Sequence, residues 1–472
     1  MLRRHWPFAL VLAAGAALRI ACEVAYRPAL FYSDSWGYLA MAHGSGIVSF
    51  APLRPSGYPL LLKVLSVAGD GLAATTLVQH LAGLATGLIA YLVGCTLGVR
   101  RWVATVCGAL VVLDAWAIAL EQYVLAESVF ALVVALAVWA SLIGVQRRGG
   151  RELAIAFAGL CLAAAALTRP VALFAVPAWF VWMAWARVGR QAALAGVLAF
   201  FVPLLVYSAV HASVTGSFGL TQAEGWFLYG RVGPIATCNG IDVEPAARGL
   251  CKRPPGAADE SQSWFMFNRE SPARKTFGGI SADSKKQKRT NAILRHFALQ
   301  VIAERPGAYA KLVATDFLKF MRPGPHAPHR EDTTVEFPRS ARLRFDDASI
   351  RRRLFPGLHT HASAPTGALR SYSRVFHTSR VLIALITLMS LVAVILGTRR
   401  RDPLATSVFL PWALAVLMLI GAAATASFAL RYLVPLIALF AMAASLSAEL
   451  FLRSLEESPR AVQTEPRTAA TR

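Results

Sequence analysis

Long runs of apolar residues, separated by short polar stretches, make up most of this chain. A helix needs roughly 20 apolar residues to cross the hydrocarbon core of a bilayer. Ten runs approach that length, at 7–26, 72–98, 102–120, 123–145, 153–168, 171–186, 191–211, 380–397, 404–426 and 430–451. The runs at 153–168 and 171–186 are short and are divided only by Thr168-Arg169-Pro170. The pattern predicts an all-α polytopic membrane protein with about ten transmembrane helices.

The spacing of these runs is asymmetric and predicts four regions. Residues 1–212 form a transmembrane module whose first external loop contains amphipathic helices, and residues 213–378 form a large external domain between spans seven and eight. Residues 379–453 carry the last three spans, and residues 454–472 are a disordered cytoplasmic tail. A connection as long as 213–378 is usually a folded or functional unit.

Basic residues predict the orientation. They gather in alternate short loops, which marks those loops as cytoplasmic. The clusters are Arg3/Arg4, Arg100/Arg101, Arg147/Arg148/Arg151, Arg187/Arg190 and Arg399/Arg400/Arg401. Both termini are therefore expected in the cytoplasm of a multi-pass protein of the plasma (inner) membrane. The apolar run after Met1-Leu2-Arg3-Arg4 is interpreted as an uncleaved first span.

Composition agrees with this interpretation. Of the 472 residues 56% are hydrophobic and 16% are charged, whereas a soluble domain has roughly a quarter charged residues. The net charge of +22 could suggest a nucleic-acid partner. Much of it lies in the cytoplasmic clusters and no nucleic-acid-binding motif is present, so nucleic acid is not expected as a partner.

The external domain is expected to contain two helices, at 291–303 and 306–320. The second begins at a proline and carries Tyr309, Leu312, Val313, Phe317 and Phe320 at helical spacing. That stripe is expected to pack on the membrane domain or to lie in the membrane interface. The basic run 284–289 is interpreted as a solvated face, with anionic headgroups as the alternative. Cys238 and Cys251 are expected to form a disulfide, which stabilises a loop of this size by roughly 3 kcal/mol.

Candidate chemistry lies in the first external loop. Asp34 occurs in Tyr32-Ser33-Asp34-Ser35-Trp36-Gly37-Tyr38, and Arg54 occurs in Arg54-Pro55-Ser56-Gly57-Tyr58-Pro59. A carboxylate at the membrane surface is a candidate general base, and Tyr38 and Tyr58 are candidate platforms for a sugar ring. Asp34 could instead be an N-cap, and the aromatic residues could be ordinary interfacial anchors.

Four arginines are expected near the external membrane surface. They are Arg54, Arg169, Arg231 and Arg431. Each could reach the lipid headgroups by snorkelling, but four on the external side oppose the usual distribution of charge and indicate phosphate binding. Glu127 lies one turn inside the predicted span 123–145 and is a second candidate catalytic residue, because a carboxylate inside a bilayer is costly. Asp34 with Glu127 or Glu121 could bind Mg²⁺ or Mn²⁺, although no spacing requires a metal.

These motifs together resemble the polytopic GT-C class of glycosyltransferases, which use polyprenyl-phosphate sugars. The class includes protein O-mannosyltransferases and lipid A aminoarabinose transferases. The resemblance rests on the two first-loop motifs, on Leu125-Ala126-Glu127-Ser128, on Leu167-Thr168-Arg169-Pro170, and on Leu430-Arg431-Tyr432-Leu433-Val434-Pro435. Many members have a second acid beside the first, where this chain has Ser35.

The resemblance implies an inverting transfer at the outer face of a bacterial membrane. Asp34 would be the general base, the arginines would bind the phosphate of a polyprenyl-phosphate sugar donor, and the acceptor would be a glycan, a lipid or a protein. The rival hypothesis is a lipid or lipid-linked sugar flippase without transferase chemistry. Repeated halves and midplane charges are typical of transporters, and the sequence has no internal repeat.

Overall fold

The computed structural model describes residues 4–67, 71–146, 149–323, 335–340 and 347–462. Within these ranges the protein is almost entirely helical, with one short antiparallel pair of strands, β1 (Tyr26–Arg27) and β2 (His361–Ala362). The expectation of a mostly helical polytopic membrane protein is confirmed.

Eight helical segments are long and apolar enough to cross a bilayer. They are α1 (Trp6–Ala25), α4 (Gly71–Thr96), α7 (Glu127–Gln146), α8 (Arg151–Thr168), α10 (Arg190–Thr215), α18 (Arg380–Arg400), α19 (Leu404–Thr425) and the segment Leu430–Glu456, which contains α20 (Leu430–Leu433) and most of α21 (Ile437–Val462). Each coincides with a run of apolar residues in the sequence. The final segment is the most enclosed of the eight and forms the centre of the bundle.

The two remaining predicted spans differ from single straight helices. The run at 102–120 folds as α5 (Arg101–Val112) and α6 (Ala115–Gln122), which meet at a bend of 41°. Asp114 causes the break, because its carboxylate accepts the amide hydrogen of Ala117 and starts a new helix. The run at 171–186 becomes a 3₁₀ turn, Pro170–Ala175, followed by α9 (Val176–Trp185), and the pair falls short of the usual length. The described residues thus contain eight candidate spans, or nine with the bent pair, instead of ten.

Close helix packing places the loops that carry the candidate site. A side chain at Gly159 of α8 would overlap the carbonyl oxygen of Gly196 in α10, so the two backbones touch there. Small residues at such crossings are the usual basis of helix association in membranes. The first loop contains two short helices, α2 (Ser33–Ala42) and α3 (Gly57–Ser66), which pack against each other beside α4.

The long segment after α10 has a hydrophobic core of its own, in which Trp226, Tyr229, Phe265 and Phe297 are buried. Cys238 and Cys251 are joined as a disulfide at its edge. Its helices are α11 (Glu224–Val232), α12 (Gln262–Phe267), α13 (Pro272–Phe277), α14 (Ser284–Glu304), α15 (Pro306–Lys319), α16 (Ala348–Leu354) and α17 (Pro365–Ser373).

Two sequence predictions in this segment can be compared with the helices directly. The helix expected at 291–303 begins at Ser284, seven residues earlier, because Asp283 caps it through the amides of Lys285 and Lys286. The basic run is therefore its first two turns, and the charged side chains there are exposed. The helix expected at 306–320 is α15, and its apolar stripe packs on the membrane domain at Phe320, which contacts Phe428 at 4.8 Å between ring centres.

The C-terminal tail is partly ordered. Helix α21 continues to Val462, so the predicted disorder does not apply to 454–462. Residues 463–472 lie outside the described residues.

Candidate active site

Asp34 occupies the first turn of α2 and does not cap it. The N-cap residue is Tyr32, whose amide nitrogen donates to the Ser35 hydroxyl at 2.9 Å. Ser35 is fully buried in this role. The capping alternative for Asp34 is therefore wrong, and its carboxylate is available for other partners.

Two arginines from distant parts of the chain bind the Asp34 carboxylate. Arg54 contacts Oδ1, and Arg431 Nη1 donates to Oδ2 at 2.8 Å. The three side chains retain between 16% and 21% of their exposure, so the ion pairs are shielded without being sealed from solvent. The structure brings together the first-loop acid, the first-loop arginine and the arginine at the start of α20.

The charges around Asp34 control its protonation. Burial alone would raise the pKa of the Asp34 carboxyl, but the guanidinium groups of Arg54 and Arg431 outweigh burial and hold that pKa well below its usual range. A carboxylate in this state is ionised at every physiological pH and is a weak base. Any role in proton transfer therefore requires the arginines to loosen their contact with Asp34.

A second ion pair lies beside the first. Arg169, just before the 3₁₀ turn, contacts Oε1 of Glu127 at the start of α7. The Tyr432 ring joins the two pairs, since its centre is 5.2 Å from the Arg169 guanidinium and 5.4 Å from that of Arg431. The sequence placed Tyr432 within a motif and indicated no role for it. The cluster holds three guanidinium groups and two carboxylates, so its net charge is 3 − 2 = +1.

The second carboxylate oxygen of Glu127 is a further hydrogen-bond acceptor at this cluster. Oε2 is buried and has no hydrogen-bond partner among the described residues. A buried acceptor without a partner is costly, and it is satisfied when a donor group or water reaches it.

Aromatic side chains fix the arginines in place. The Arg54 guanidinium lies 5.0 Å from the centre of the Tyr38 ring, and Tyr38 meets Tyr58 edge to face at 4.9 Å. Tyr58 is almost fully buried and donates its hydroxyl hydrogen to Gln79 at 2.6 Å. Tyr38 thus contacts the cluster directly. Tyr58 packs against Tyr38 and, because it is buried, does not present a ring face for a sugar.

Gly57 brings the two arginine-bearing motifs together. A side chain at this position would lie 2.5 Å from the carbonyl oxygen of Leu167 and 3.1 Å from the amide nitrogen of Thr168. The start of α3 therefore rests on the end of α8, next to Arg169. Only glycine permits this approach without a backbone shift.

Arg231 does not join the cluster. It lies in α11, in the segment between α10 and α18, is 3% exposed, and its Nη1 donates to Asp316 Oδ2 at 2.6 Å. Burial lowers the pKa of Arg231, although Asp316 opposes that effect. Position in the sequence could not reveal this partner, which is 85 residues away in α15. The structure thus separates Arg231 from the other three predicted arginines.

Glu121 is also engaged elsewhere. Arg19 binds it through two hydrogen bonds of 2.7 Å, and His80 Nδ1 lies 2.8 Å from its Oε2. Arg19 lies on α1 and reaches across the bundle to Glu121 of α6. This buried group supports the membrane core beneath the site.

The segment between α10 and α18 holds the loop that leads to Arg431, a contact that sequence reasoning missed. The Tyr309 hydroxyl donates to the Ala424 carbonyl at 2.9 Å, and the Gln262 amide donates to the Thr425 carbonyl at 2.7 Å. Asp316 also accepts the Phe428 amide hydrogen at 3.4 Å. The end of α19 and the loop 426–429 are thereby fixed, just before Arg431. Tyr309 belonged to the predicted apolar stripe, and its hydroxyl was the available signal.

The carboxylates do not suit Mg²⁺ or Mn²⁺. In the described part of the chain no group of three or more His, Cys, Asp or Glu side chains could hold a metal ion. Both oxygens of Asp34 and one oxygen of Glu127 already face guanidinium groups, and Glu121 is bound by Arg19 and His80. A divalent cation would stand among three positive charges at short range. The donor set present does not fit the metal considered from the sequence.

Comparisons with known proteins agree with this description. Residues 70–215 match the family "Dolichyl-phosphate-mannose-protein mannosyltransferase". The match confirms, over these residues, the resemblance to GT-C membrane glycosyltransferases that the motifs indicated. A comparison with curated protein sequences gave no match.

Three solved structures are similar to the chain. A protein O-mannosyltransferase Pmt1-Pmt2 complex from S. cerevisiae, bound to the sugar donor, is 15% identical over 52% of this chain and 37% of that one, with a TM-score of 0.37. The oligosaccharyltransferase AglB from Archaeoglobus fulgidus is 12% identical over 100% of this chain and 53% of that one, with a TM-score of 0.42. ArnT from Cupriavidus metallidurans, bound to undecaprenyl phosphate, is 13% identical over 98% and 81%, with a TM-score of 0.38.

These likenesses are weak. The chain spans about a third of the Pmt1-Pmt2 chain and about half of the AglB chain. A further structure of the A. fulgidus enzyme contains zinc and sulfate.

Proposed function

We propose that this protein is a membrane glycosyltransferase that moves a sugar from a polyprenyl-phosphate carrier to a hydroxyl acceptor at the extracytoplasmic face. The observation that carries the proposal is the ion-pair cluster of Asp34 with Arg54 and Arg431, beside Glu127 and Arg169. Its net charge of +1 complements a phosphodiester, which carries one negative charge. Guanidinium groups are suited to phosphate because their paired donors match its oxygens.

Donor binding changes the state of Asp34 in this proposal. The donor phosphate competes with the Asp34 carboxylate for Arg54 and Arg431. As the arginines turn towards the phosphate, the effect of burial on Asp34 is no longer outweighed, and its pKa rises. The carboxylate then becomes a stronger base at the moment when the donor is in place. Proton transfer is in this way coupled to donor binding.

The transfer step follows from these positions. The acceptor hydroxyl gives its proton to Asp34 while its oxygen forms a bond to the anomeric carbon of the sugar. The bond from that carbon to the phosphate oxygen breaks, and polyprenyl phosphate leaves with one additional negative charge. The arginines stabilise this charge as it develops, which is worth several kcal/mol in comparable sites. Attack opposite the leaving group inverts the anomeric centre.

Glu127 acts through Arg169 in this scheme. Its contact with Arg169 fixes the guanidinium beside Tyr432 and the donor phosphate. Its unpaired Oε2 is an acceptor for a hydroxyl of the bound sugar. Glu127 is therefore proposed as a positioning and sugar-binding residue, with Asp34 alone as the base. Tyr38 supports Arg54, and Arg231 supports the loop that leads to Arg431.

The orientation is proposed from the basic clusters together with the helix lengths. The six residues of the 3₁₀ turn and the ten of α9 span about 27 Å at 2.0 and 1.5 Å per residue. That length nearly matches a hydrocarbon core of about 30 Å. Counting this segment and the bent pair as crossings gives ten spans, cytoplasmic termini and an extracytoplasmic Asp34 in the plasma (inner) membrane of a bacterium.

The test uses purified protein in lipid nanodiscs with a panel of radiolabelled polyprenyl-phosphate sugars and membrane acceptors. Asp34→Asn should abolish transfer and leave donor binding as tight or tighter, because it raises the cluster charge from +1 to +2. Asp242→Asn, which removes an exposed carboxylate in the external segment, is the matched control and should behave like the wild type. Full transfer by Asp34→Asn would remove this residue from the mechanism. Movement of labelled lipid without any glycosyl product would support the flippase instead.

A further inference from the structure

A second cavity, apart from the arginine cluster, opens near the end of α1. Its volume is about 730 Å³, and it lies between the last turns of α1, the first turn of α4 and the segment 355–359. The residues that line it include Glu23, Arg27, Leu72, Phe355, Leu358 and His359. This volume is within the range of sites that bind small organic molecules.

The polar groups of this cavity include a carboxylate. Glu23 lines the cavity, and its side chain keeps 28% of its exposure. Arg27 and His359 are exposed at the cavity and supply donors. The cavity therefore offers an acceptor in its wall and donors at its surface.

This combination favours a carbohydrate over the other molecules found at a membrane surface. Sugar hydroxyls both donate and accept, so they can satisfy Glu23 and also accept from Arg27 and His359. The apolar side chains of Phe355 and Leu358 can pack on the C–H face of a sugar ring. A phosphate group would be repelled by Glu23, and a lipid tail would leave its carboxylate oxygen unsatisfied.

A short stretch of chain joins the cavity to Asp34. Pro28 is part of its wall and precedes Asp34 by six residues, so the two are at most about 20 Å apart along an extended chain. The strand pairing of Arg27 with His361 fixes one edge of the cavity to the first loop. On another edge Phe355 meets His43, which ends α2, at 5.4 Å between ring centres. The helix that carries Asp34 thus also contacts the cavity wall.

We propose that this cavity binds the acceptor, and that the acceptor is a carbohydrate whose reactive hydroxyl extends towards Asp34. The inference rests on the transferase function proposed above and names the acceptor class for that function. Both a free glycan and the sugar headgroup of a glycolipid present the required hydroxyls. Glu23 orients the acceptor, and Phe355 and Leu358 shape the cavity.

The experiment compares transfer with donor hydrolysis in nanodiscs. The probes are a radiolabelled polyprenyl-phosphate sugar with three separate acceptor fractions from membranes: glycolipids, water-soluble glycans and proteins. Donor hydrolysis by water, measured without acceptor, reports the arginine cluster alone. Glu23→Gln removes a charged acceptor, and Leu358→Trp fills the cavity without touching Glu23. Leu388→Trp, at an exposed position of α18, is the control for the added indole.

We expect both cavity variants to lower transfer to a carbohydrate fraction about tenfold or more, through the KM of the acceptor. Donor hydrolysis and thermal stability should stay at wild-type values, and the control should transfer normally. The fraction that accepts label distinguishes a free glycan from a glycolipid.

Three results would overturn the inference. Unchanged acceptor KM in Leu358→Trp would show that the cavity does not bind the acceptor. Transfer to the protein fraction alone would exclude a carbohydrate. Failure of the wild type to hydrolyse or transfer any donor would reject the proposed transferase, whereas normal hydrolysis with unaffected variants rejects only the acceptor site.

Discussion

Arg431 donates a hydrogen bond of 2.8 Å to Asp34, although 397 positions separate the two residues in the chain. The contact joins the first loop to the start of the last span, so the candidate site exists only when the two ends of the membrane domain are packed together. The same arginine also lies 5.0 Å from the ring centre of Tyr32, at the N-terminus of the helix that carries Asp34. Position and charge of the carboxylate therefore both depend on Arg431.

Arg431→Gln should move the acid limb of activity to higher pH. In the wild type the pKa of Asp34 is depressed, so the carboxylate stays ionised until the solution is strongly acidic. Without Arg431 one of the two positive charges that oppose the effect of burial is lost. The pKa of Asp34 therefore rises, by about 1–3 for the loss of an adjacent arginine. The profile of kcat/KM, which reports groups of the free enzyme, is the measurement.

The same variant tests whether the pKa of Asp34 differs between the free enzyme and the donor complex. If the donor phosphate already draws the arginines from Asp34, the kcat profile should shift less than the kcat/KM profile. Arg400→Gln, at the C-terminal end of α18, is the control and should leave both profiles unchanged. Equal shifts in the two profiles would contradict the coupling of donor binding to the pKa of Asp34.

The sequence identified the residues of this cluster but did not show which of them contact one another. Asp34, Arg54, Arg169 and Arg431 were identified because charged residues beside apolar runs are conspicuous. Which arginine binds which carboxylate depends on helix crossings, and those are fixed by contacts such as Gly57 on Leu167 that no spacing encodes. The same limit explains Arg231, whose partner Asp316 appeared in the sequence only as one acid among many.

Gly57→Ala should reduce both stability and activity. Its new methyl group would meet the backbone of Leu167 at 2.5 Å, and backbone cannot rotate away as a side chain can. The start of α3 must then shift from the end of α8, at a cost of about 1–3 kcal/mol. Because Arg54 and Arg169 flank this contact, donor KM should rise together with the loss of thermal stability.

Gly307→Ala is the matched control for that change. Position 307 lies in α15, and a methyl group added there would have no neighbouring atom within 4 Å, so alanine should fit. Alanine is the better helix former by roughly 1 kcal/mol, which predicts equal or higher stability and unchanged activity. Wild-type donor KM in Gly57→Ala would show that the contact does not position the arginines.

Tyr309→Phe should weaken donor binding without unfolding the segment between α10 and α18. The change removes the hydrogen bond to Ala424 and keeps the ring in its packing position. A hydrogen bond of this kind contributes about 0.5–1.5 kcal/mol, which corresponds to a change of roughly twofold to tenfold in donor KM. Tyr91→Phe removes a hydrogen bond to His5 far from the site and serves as the control. Equal donor KM in both variants would exclude a role for Tyr309 in holding the loop before Arg431.

The count of spans illustrates a different limit of sequence reasoning. Apolar length predicted all eight helical segments that are long enough to cross a bilayer, because burial in lipid requires it. The bend at Asp114 and the 3₁₀ turn after Arg169 were not visible in that pattern, since they depend on a local cap and on the proline at 170. The 3₁₀ turn directly follows Arg169, and Val112 beside the bend accepts a hydrogen bond from Arg19.

Glu121→Gln should destabilise the membrane domain and leave the chemistry of the folded protein intact. Arg19 and Glu121 are both 3% exposed, and the change leaves the Arg19 guanidinium buried without its counter-charge. Breaking a buried pair in this way costs about 3–5 kcal/mol, whereas replacing both partners by apolar residues is often neutral. Thermal unfolding should therefore occur at a lower temperature in Glu121→Gln and recover in Arg19→Met/Glu121→Met. A loss of kcat in the double variant at wild-type stability would instead place this pair in the reaction.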